Sequence, residues 1–218
     1  MNKSKFLTLF FFSLIIFFIV RTDTLLAQNQ QVSIDSKRFK AIKRINSYLN
    51  EIKTLRADFL QVATNGEVAG GKLFMSRPGK IRFEYKPPSP ILIISDGTFL
   101  IYIDRHLEEM THFFLSSSPI DFLVKKSVRI NENTEIISFS QKANIIRIKL
   151  AKINQINKGT ITLNFTNQPF KLRKWIIADS QGMETTIILN NIEENIILNS
   201  KLFEFEGFPK NDSFLLDE

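Results

Sequence analysis

Residues able to do chemistry are few and scattered. His106 and His112 are the only histidines, and Asp104 or Glu108 would have to help complete any metal site. Zinc takes three or four ligands at recognisable spacings, and this spacing matches none of them. No serine stands in a Gly-x-Ser-x-Gly elbow, and no glycine-rich loop opens a helix where a phosphate would be cradled. With no cysteine, thiolate catalysis, thiolate metal sites and disulfides are excluded. Asp96, followed by Gly97, reads as a turn residue rather than an acid or base. The residues favour a binding protein over an enzyme, with no catalytic residue, no metal and no cofactor.

Arg77 has two readings: an arginine before a proline at a strand end is usually a surface residue, and the alternative is a contact to helix ends. It precedes Pro78 at the end of a short strand. A guanidinium carries five donors in a fixed fork and holds several backbone carbonyls at once. The carbonyls at the C-terminal ends of short helices are free to accept them. Such a contact would be a polar, breakable latch.

The elements around Arg77 have the sharpest strand pattern in the chain. Ile81, Phe83 and Tyr85 alternate with Lys80, Arg82, Glu84 and Lys86, as in a strand with one apolar face. Pro87, Pro88 and Pro90 cannot donate ladder hydrogen bonds and end that strand. Ile91 to Ser95 and Phe99 to Asp104 follow as a hairpin about Asp96-Gly97.

The N-terminus reads as a targeting segment. Lys3 and Lys5 precede an apolar run of 15 residues, Phe6 to Val20, broken only by Thr8 and Ser13, and Leu25-Leu26-Ala27 follows. The run is short of the ~20 residues of a spanning helix. Residues 1–27 are therefore expected to be a cleaved secretory signal peptide, with one domain over 28–218. Cleavage removes Lys3, Lys5 and Arg21 against Asp23, which takes the net charge from +7 to +5. No basic block with interleaved aromatics points to nucleic acid. Fifteen of the 21 phenylalanines remain, enough for a large aromatic interior, either packed or hollow.

From Ser36 to Lys53, Phe39, Ile42, Ile45, Leu49 and Ile52 make a helical stripe. The period then switches to two through Thr54–Val62, and a short strand is expected over Lys72–Ser76. Glu109–Leu115 is a further strand, and Pro119–Lys126 is expected to be a short helix. Strands are expected over Glu135–Phe139, Asn144–Ala151, Thr160–Phe165, Phe170–Ala178 and Thr185–Asn191, with a last short one over Leu202–Phe205. The fold class is mainly β (α+β): ten or eleven antiparallel strands that curl to limit their exposed edges, with helices over an apolar cavity.

The runs FMSRPGKIRFEY (residues 74–85), PPSP (87–90) and ILIISDGTFLIYID (91–104) resemble the periplasmic lipoprotein-carrier family LolA. The resemblance extends from the leading helix to Phe205 and is weak between Ser127 and Gln155. It implies an unclosed antiparallel β-barrel of about 11 strands with a helical lid over a hydrophobic cavity. It also implies a periplasmic monomer that takes lipid-anchored lipoproteins from an inner-membrane ABC-type releasing complex to an outer-membrane acceptor. In the family, the arginine matched by Arg77 bonds lid backbone in the closed state, with partners that fall near Leu49 and Leu123. Phe59, Leu73, Ile81, Phe83, Tyr85, Ile91 and Ile93 would then line the acyl-chain cavity. Two other readings stay open: a lipid- or lipoprotein-sensing regulatory module on the same half-barrel, and an envelope hydrolase using His106 or His112.

Overall fold

The computed structural model describes residues 35–132, 134–205, 207 and 208. The expected signal peptide lies outside them. A helix, α1, spans 35–51, and its part from Ile45 onward belongs to the same compact unit as everything that follows.

The remaining chain builds one sheet from β1 (Thr54–Ala63), β2 (Val68–Ser76), β3 (Lys80–Tyr85), β4 (Ile91–Asp96), β5 (Phe99–Asp104), β6 (Glu109–Phe114), β7 (Thr134–Lys142), β8 (Ile145–Lys152), β9 (Thr160–Asn167), β10 (Phe170–Ala178) and β11 (Glu184–Glu194). Every pairing is antiparallel, in the order β6-β5-β4-β3-β2-β1-β11-β10-β9-β8-β7. Two meanders thus meet at the β1–β11 pair, and β6 and β7 are left as unpaired edges, so the barrel is unclosed. The fold is the expected eleven-stranded, mainly β architecture.

Strict alternation decides which face is buried. Leu55, Ala57 and Phe59 on β1 share a face with Leu73 and Met75 on β2 and with Ile81, Phe83 and Tyr85 on β3, and all are buried. The register carries this face through Leu189, Ile187 and Trp175 to Leu163, Ile148 and Leu150 on the other arm. Ile45, Leu49 and Ile52 are buried as well, each at 3% exposure or less. Burying a side chain of this size contributes roughly 1.5–3 kcal/mol.

Gly71 makes one packing decision. It sits opposite Phe59 and Tyr85, and a Cβ there would lie 2.0 Å from the Glu84 carbonyl oxygen and 2.8 Å from Phe59 Cε1. Phe59 occupies that space and packs edge-on against Phe83 and Tyr85, with ring centroids 5.3 and 5.0 Å away.

Several boundaries differ from the sequence-based expectation. β2 begins at Val68 and takes in the Gly70-Gly71 pair, because its whole length pairs with β1. β11 extends to Glu194 for the same reason. The helix expected over Pro119–Lys126 shrinks to α2, Asp121–Val124, preceded by a 3-10 turn over Leu115–Ser117. The expected strand Leu202–Phe205 is instead a 3-10 turn, Ser200–Phe203, capped by Asn199, whose side chain accepts a bond from the Lys201 amide. The segment after it covers the outer face of the sheet, with Phe205 and Phe208 packed against Leu92, Ile94 and Ile103. An apolar alternation of four residues fits a strand, but every ladder position beside β11 is already taken by β1 or β10.

Candidate functional site

The turn between β2 and β3 places Arg77 beneath the C-terminal ends of both helices. Arg77 Nε donates to the Leu123 carbonyl oxygen at 2.9 Å, and Nη1 donates to the Leu49 carbonyl oxygen. The same turn adds two backbone bonds, from the Arg77 amide to the Lys53 carbonyl (2.9 Å) and from the Gly79 amide to the Val124 carbonyl (2.7 Å). Leu49 and Leu123 fall in the last turns of their helices, where carbonyls have no intrahelical donor. With Leu123 and Val124 both satisfied by the β2–β3 turn, α2 stops there, and Lys125 turns to extended backbone at ψ 150°. Gly79 serves this contact with φ +79°, and a Cβ on it would meet Gly97 Cα at 2.5 Å.

The guanidinium is half-buried, and that desolvation pulls its pKa down to about 10. It remains charged at neutral pH. Among the described residues no carboxylate ion-pairs with it. Two backbone carbonyls accept from it, so the contact with the helices is polar and directional without being an ion pair.

Above Arg77 lies an apolar cavity lined by Leu49, Ile52, Leu73, Ile81, Leu123 and Trp175, with Leu55, Met75 and Leu172 completing the wall. Its volume is about 20 Å³, room for little more than one water. Ligand pockets are typically ~300–1,000 Å³. Leu73 and Ile81, two of the residues singled out in the sequence, meet Arg77, Leu49 and Leu123 here. Phe59, Phe83 and Tyr85 lie further along the same face in the aromatic cluster, with the Tyr85 hydroxyl 2.5 Å from Gln61 Oε1. Burial pushes that phenol up to about 12. Ile91 and Ile93 share the face through the Phe83–Ile93 register but are half-buried and stand away from the cavity.

Trp175 and Leu172 escaped sequence reasoning because their strand alternates poorly, and a bulge between Leu172 and Lys174 explains why. Also missed were the polar ties of α1. Asn50 donates Nδ2 to the Val128 carbonyl and accepts from the Val128 amide through Oδ1, both at 2.8 Å, while Asn46 Oδ1 accepts from the Ile130 amide at 3.1 Å. The loop after α2 is therefore stitched to α1. The signal was present: two asparagines four residues apart, flanking the Ile45–Leu49 stripe. Tyr48 adds an anchor to the sheet, donating to Glu194 Oε1 at 2.5 Å and accepting from the Leu172 amide at 3.2 Å, and Lys171 pairs with Glu194. Burial and then the bond to Glu194 raise the Tyr48 phenol above its usual range.

The histidines fall elsewhere. His106 is exposed in the β5–β6 turn, where Asp104 Oδ1 accepts from the His106 and Leu107 amides. His112 is exposed on edge strand β6, edge-on to Phe99. Asp96 Oδ1 accepts from the Thr98 and Phe99 amides at 2.7 and 2.9 Å and closes its turn. Among the described residues no three or more metal-ligating side chains gather, and no helix is long and apolar enough to cross a membrane.

Comparison with known proteins shows which family the chain is similar to. The chain is 30% identical over 178 residues to an outer-membrane lipoprotein carrier protein of Chromobacterium violaceum, covering 76% of this chain and 82% of that one. A carrier protein of Methylococcus capsulatus is 29% identical over 171 residues, covering 74% and 81%. An uncharacterised protein of Rickettsia prowazekii is 28% identical over 166 residues, covering 76% of each chain. Among solved structures, a LolA superfamily protein of Nitrosomonas europaea aligns at 10% identity with a TM-score of 0.42, covering 75% of this chain and 97% of that one. The model of the outer membrane lipoprotein carrier protein LolA matches residues 50–206. The chain belongs to the LolA family.

Proposed function

We propose that this protein is a periplasmic carrier that binds the acyl chains of lipoproteins released from the inner membrane and delivers them to the outer membrane. The observation that carries the reading is the Arg77 contact. One guanidinium holds Leu49 of α1 and Leu123 of α2 over an apolar cavity of about 20 Å³. That space is too small for an acyl chain, so loading requires the helices to move and the latch to open.

The energies are compatible with such an exchange. Two charge-assisted hydrogen bonds stabilise the closed state by roughly 3–6 kcal/mol in total. Each buried methylene contributes ~0.8 kcal/mol, so about four to eight methylenes offset the loss. A lipid anchor with several acyl chains exceeds that, and no nucleotide needs to act on this chain. Acyl chains would enter beside Leu73 and Ile81 and extend along the face of Phe59, Phe83 and Tyr85 toward Ile91 and Ile93. The protein would work as a monomer, receiving cargo from an ABC-type releasing complex and passing it to an outer-membrane acceptor.

The test is a release assay. The purified chain is incubated with spheroplasts, and lipoproteins are sought in the supernatant. Soluble 1:1 complexes support the carrier. Tight binding of an acyl probe without release points instead to a lipid-sensing module.

A further inference from the structure

Beside α2, and distinct from the apolar cavity, lies a second pocket, of about 40 Å³, whose lining includes Phe122, Lys125, Arg129, Thr134, Lys152 and Lys158. Four cations and no carboxylate line it. Asp121, outside the lining, pairs with both Lys125 (3.4 Å) and Lys152 (3.3 Å), and Glu132 pairs with Arg129 (3.1 Å). Two carboxylates thus face four cations. Among the described residues Lys158 has no ion pair. Thr134 is only 7% exposed, yet among the described residues its Oγ1 has no hydrogen-bond partner.

A buried hydroxyl without a partner is costly, and native proteins satisfy almost all such groups. Here the unsatisfied donor and the uncompensated positive charge share one concave site. We propose that this pocket binds a phosphate-type anion, carried by a glycerophospholipid headgroup or free in solution. Oxygens of the anion accept from Thr134 Oγ1 and from the ammonium and guanidinium groups of Lys158 and Arg129. An anion of one to two negative charges matches the local excess. The position suits an amphipathic ligand, because the next residue of α2, Leu123, lines the apolar cavity. The site stands independently of lipoprotein carriage.

Titration calorimetry on the purified chain tests the site with three probes: inorganic phosphate, dihexanoylphosphatidylglycerol and uncharged dihexanoylglycerol. Arg129 and Lys158 are exposed, so Arg129→Gln/Lys158→Gln keeps the fold. The phosphate-bearing probe is expected to bind wild type, to weaken with added salt, and to lose about tenfold or more in affinity in the double variant. Thr134→Val loses several-fold, and dihexanoylglycerol binding is the same in all three proteins. Lipid binding that free phosphate displaces places the headgroup in this site, phosphate binding without lipid binding identifies the free anion, and lipid binding that phosphate does not displace overturns the headgroup assignment. If neither phosphate nor the lipid binds, or the double variant binds them like wild type, the site is overturned while uptake of dihexanoylglycerol can still support the carrier. Phosphate binding without any apolar uptake would sink the carrier and leave the site.

Discussion

Phe122 and Leu123 are consecutive residues of one short helix, and they line different cavities. Leu123 closes the apolar cavity above Arg77, whereas Phe122 faces the cation-lined pocket on the β8–β9 arm. A four-residue helix can do this because successive side chains stand ~100° apart around its axis. The two spaces thus share one wall element, α2.

The stitching of α1 to the loop after α2 predicts that the two helices move together. Asn50→Ala removes both bonds to Val128 and leaves a buried amide and carbonyl unpaired. We expect a stability loss of about 1–3 kcal/mol in urea unfolding. Hydrogen exchange should speed up at Val128 and Ile130 ahead of the β1–β3 strands. Uniform acceleration across the sheet would contradict a local tie.

Gly71 is predicted to be irreplaceable. Gly71→Ala places a methyl group 2.0 Å from the Glu84 carbonyl oxygen, so backbone must shift and Phe59 must leave its position over the glycine. A loss of about 3 kcal/mol or more is expected in thermal unfolding. Unchanged stability would mean that β1, β2 and β3 do not pack as described.

Much of this was legible in the sequence. The alternation of Ile81, Phe83 and Tyr85 and the three prolines after them define β3 and its end, and the Asp96-Gly97 pair marks the next turn. The Arg-Pro pair drew attention to Arg77, whose five donors suit helix-end carbonyls. What remained hidden depends on distant partners. Leu172 and Trp175 reach the cavity wall only through the bulge against β9. The end of α2 is fixed by Arg77 and Gly79, more than 40 positions earlier, so no local signal marks it. Leu202–Phe205 alternates like a strand and is excluded only by sheet order.

Asp96 gives a pH-dependent prediction. Burial alone would raise its carboxyl, but the Phe99 and Thr98 amides and its own hold it below the usual 3.8. A depressed carboxyl contributes stability above its unfolded pKa, and that contribution is lost as pH falls through the folded one. Asp96→Ala should cost about 1 kcal/mol at pH 7, and the deficit should shrink below pH ~3.8. Asp96→Asn, which keeps an acceptor, should retain most of the stability. A deficit independent of pH would show that the carboxylate is not what closes the turn.

Desolvation lowers the Arg77 pKa only to about 10, so the guanidinium keeps its charge near neutrality and opening of the proposed latch should not need a proton. Trp175, the only tryptophan, lines the cavity and reports on its filling. Its fluorescence response to an uncharged acyl ligand should be flat between about pH 6 and 9, because the guanidinium stays charged throughout. A midpoint inside that range would assign control to another group.

The measurement that bears most directly on the central claim is cargo transfer by wild type and by Arg77→Leu. If cargo breaks the Arg77 contact, removing it should destabilise the closed, empty state by roughly 3–6 kcal/mol and leave the loaded state unchanged. Both proteins are predicted to release lipoproteins from spheroplasts as soluble complexes. Wild type should then pass its cargo to outer-membrane vesicles, while Arg77→Leu should hold it, since closure no longer drives the acyl chains out. Equal unloading by the two proteins would contradict the account and leave Arg77 a structural cap for two helices.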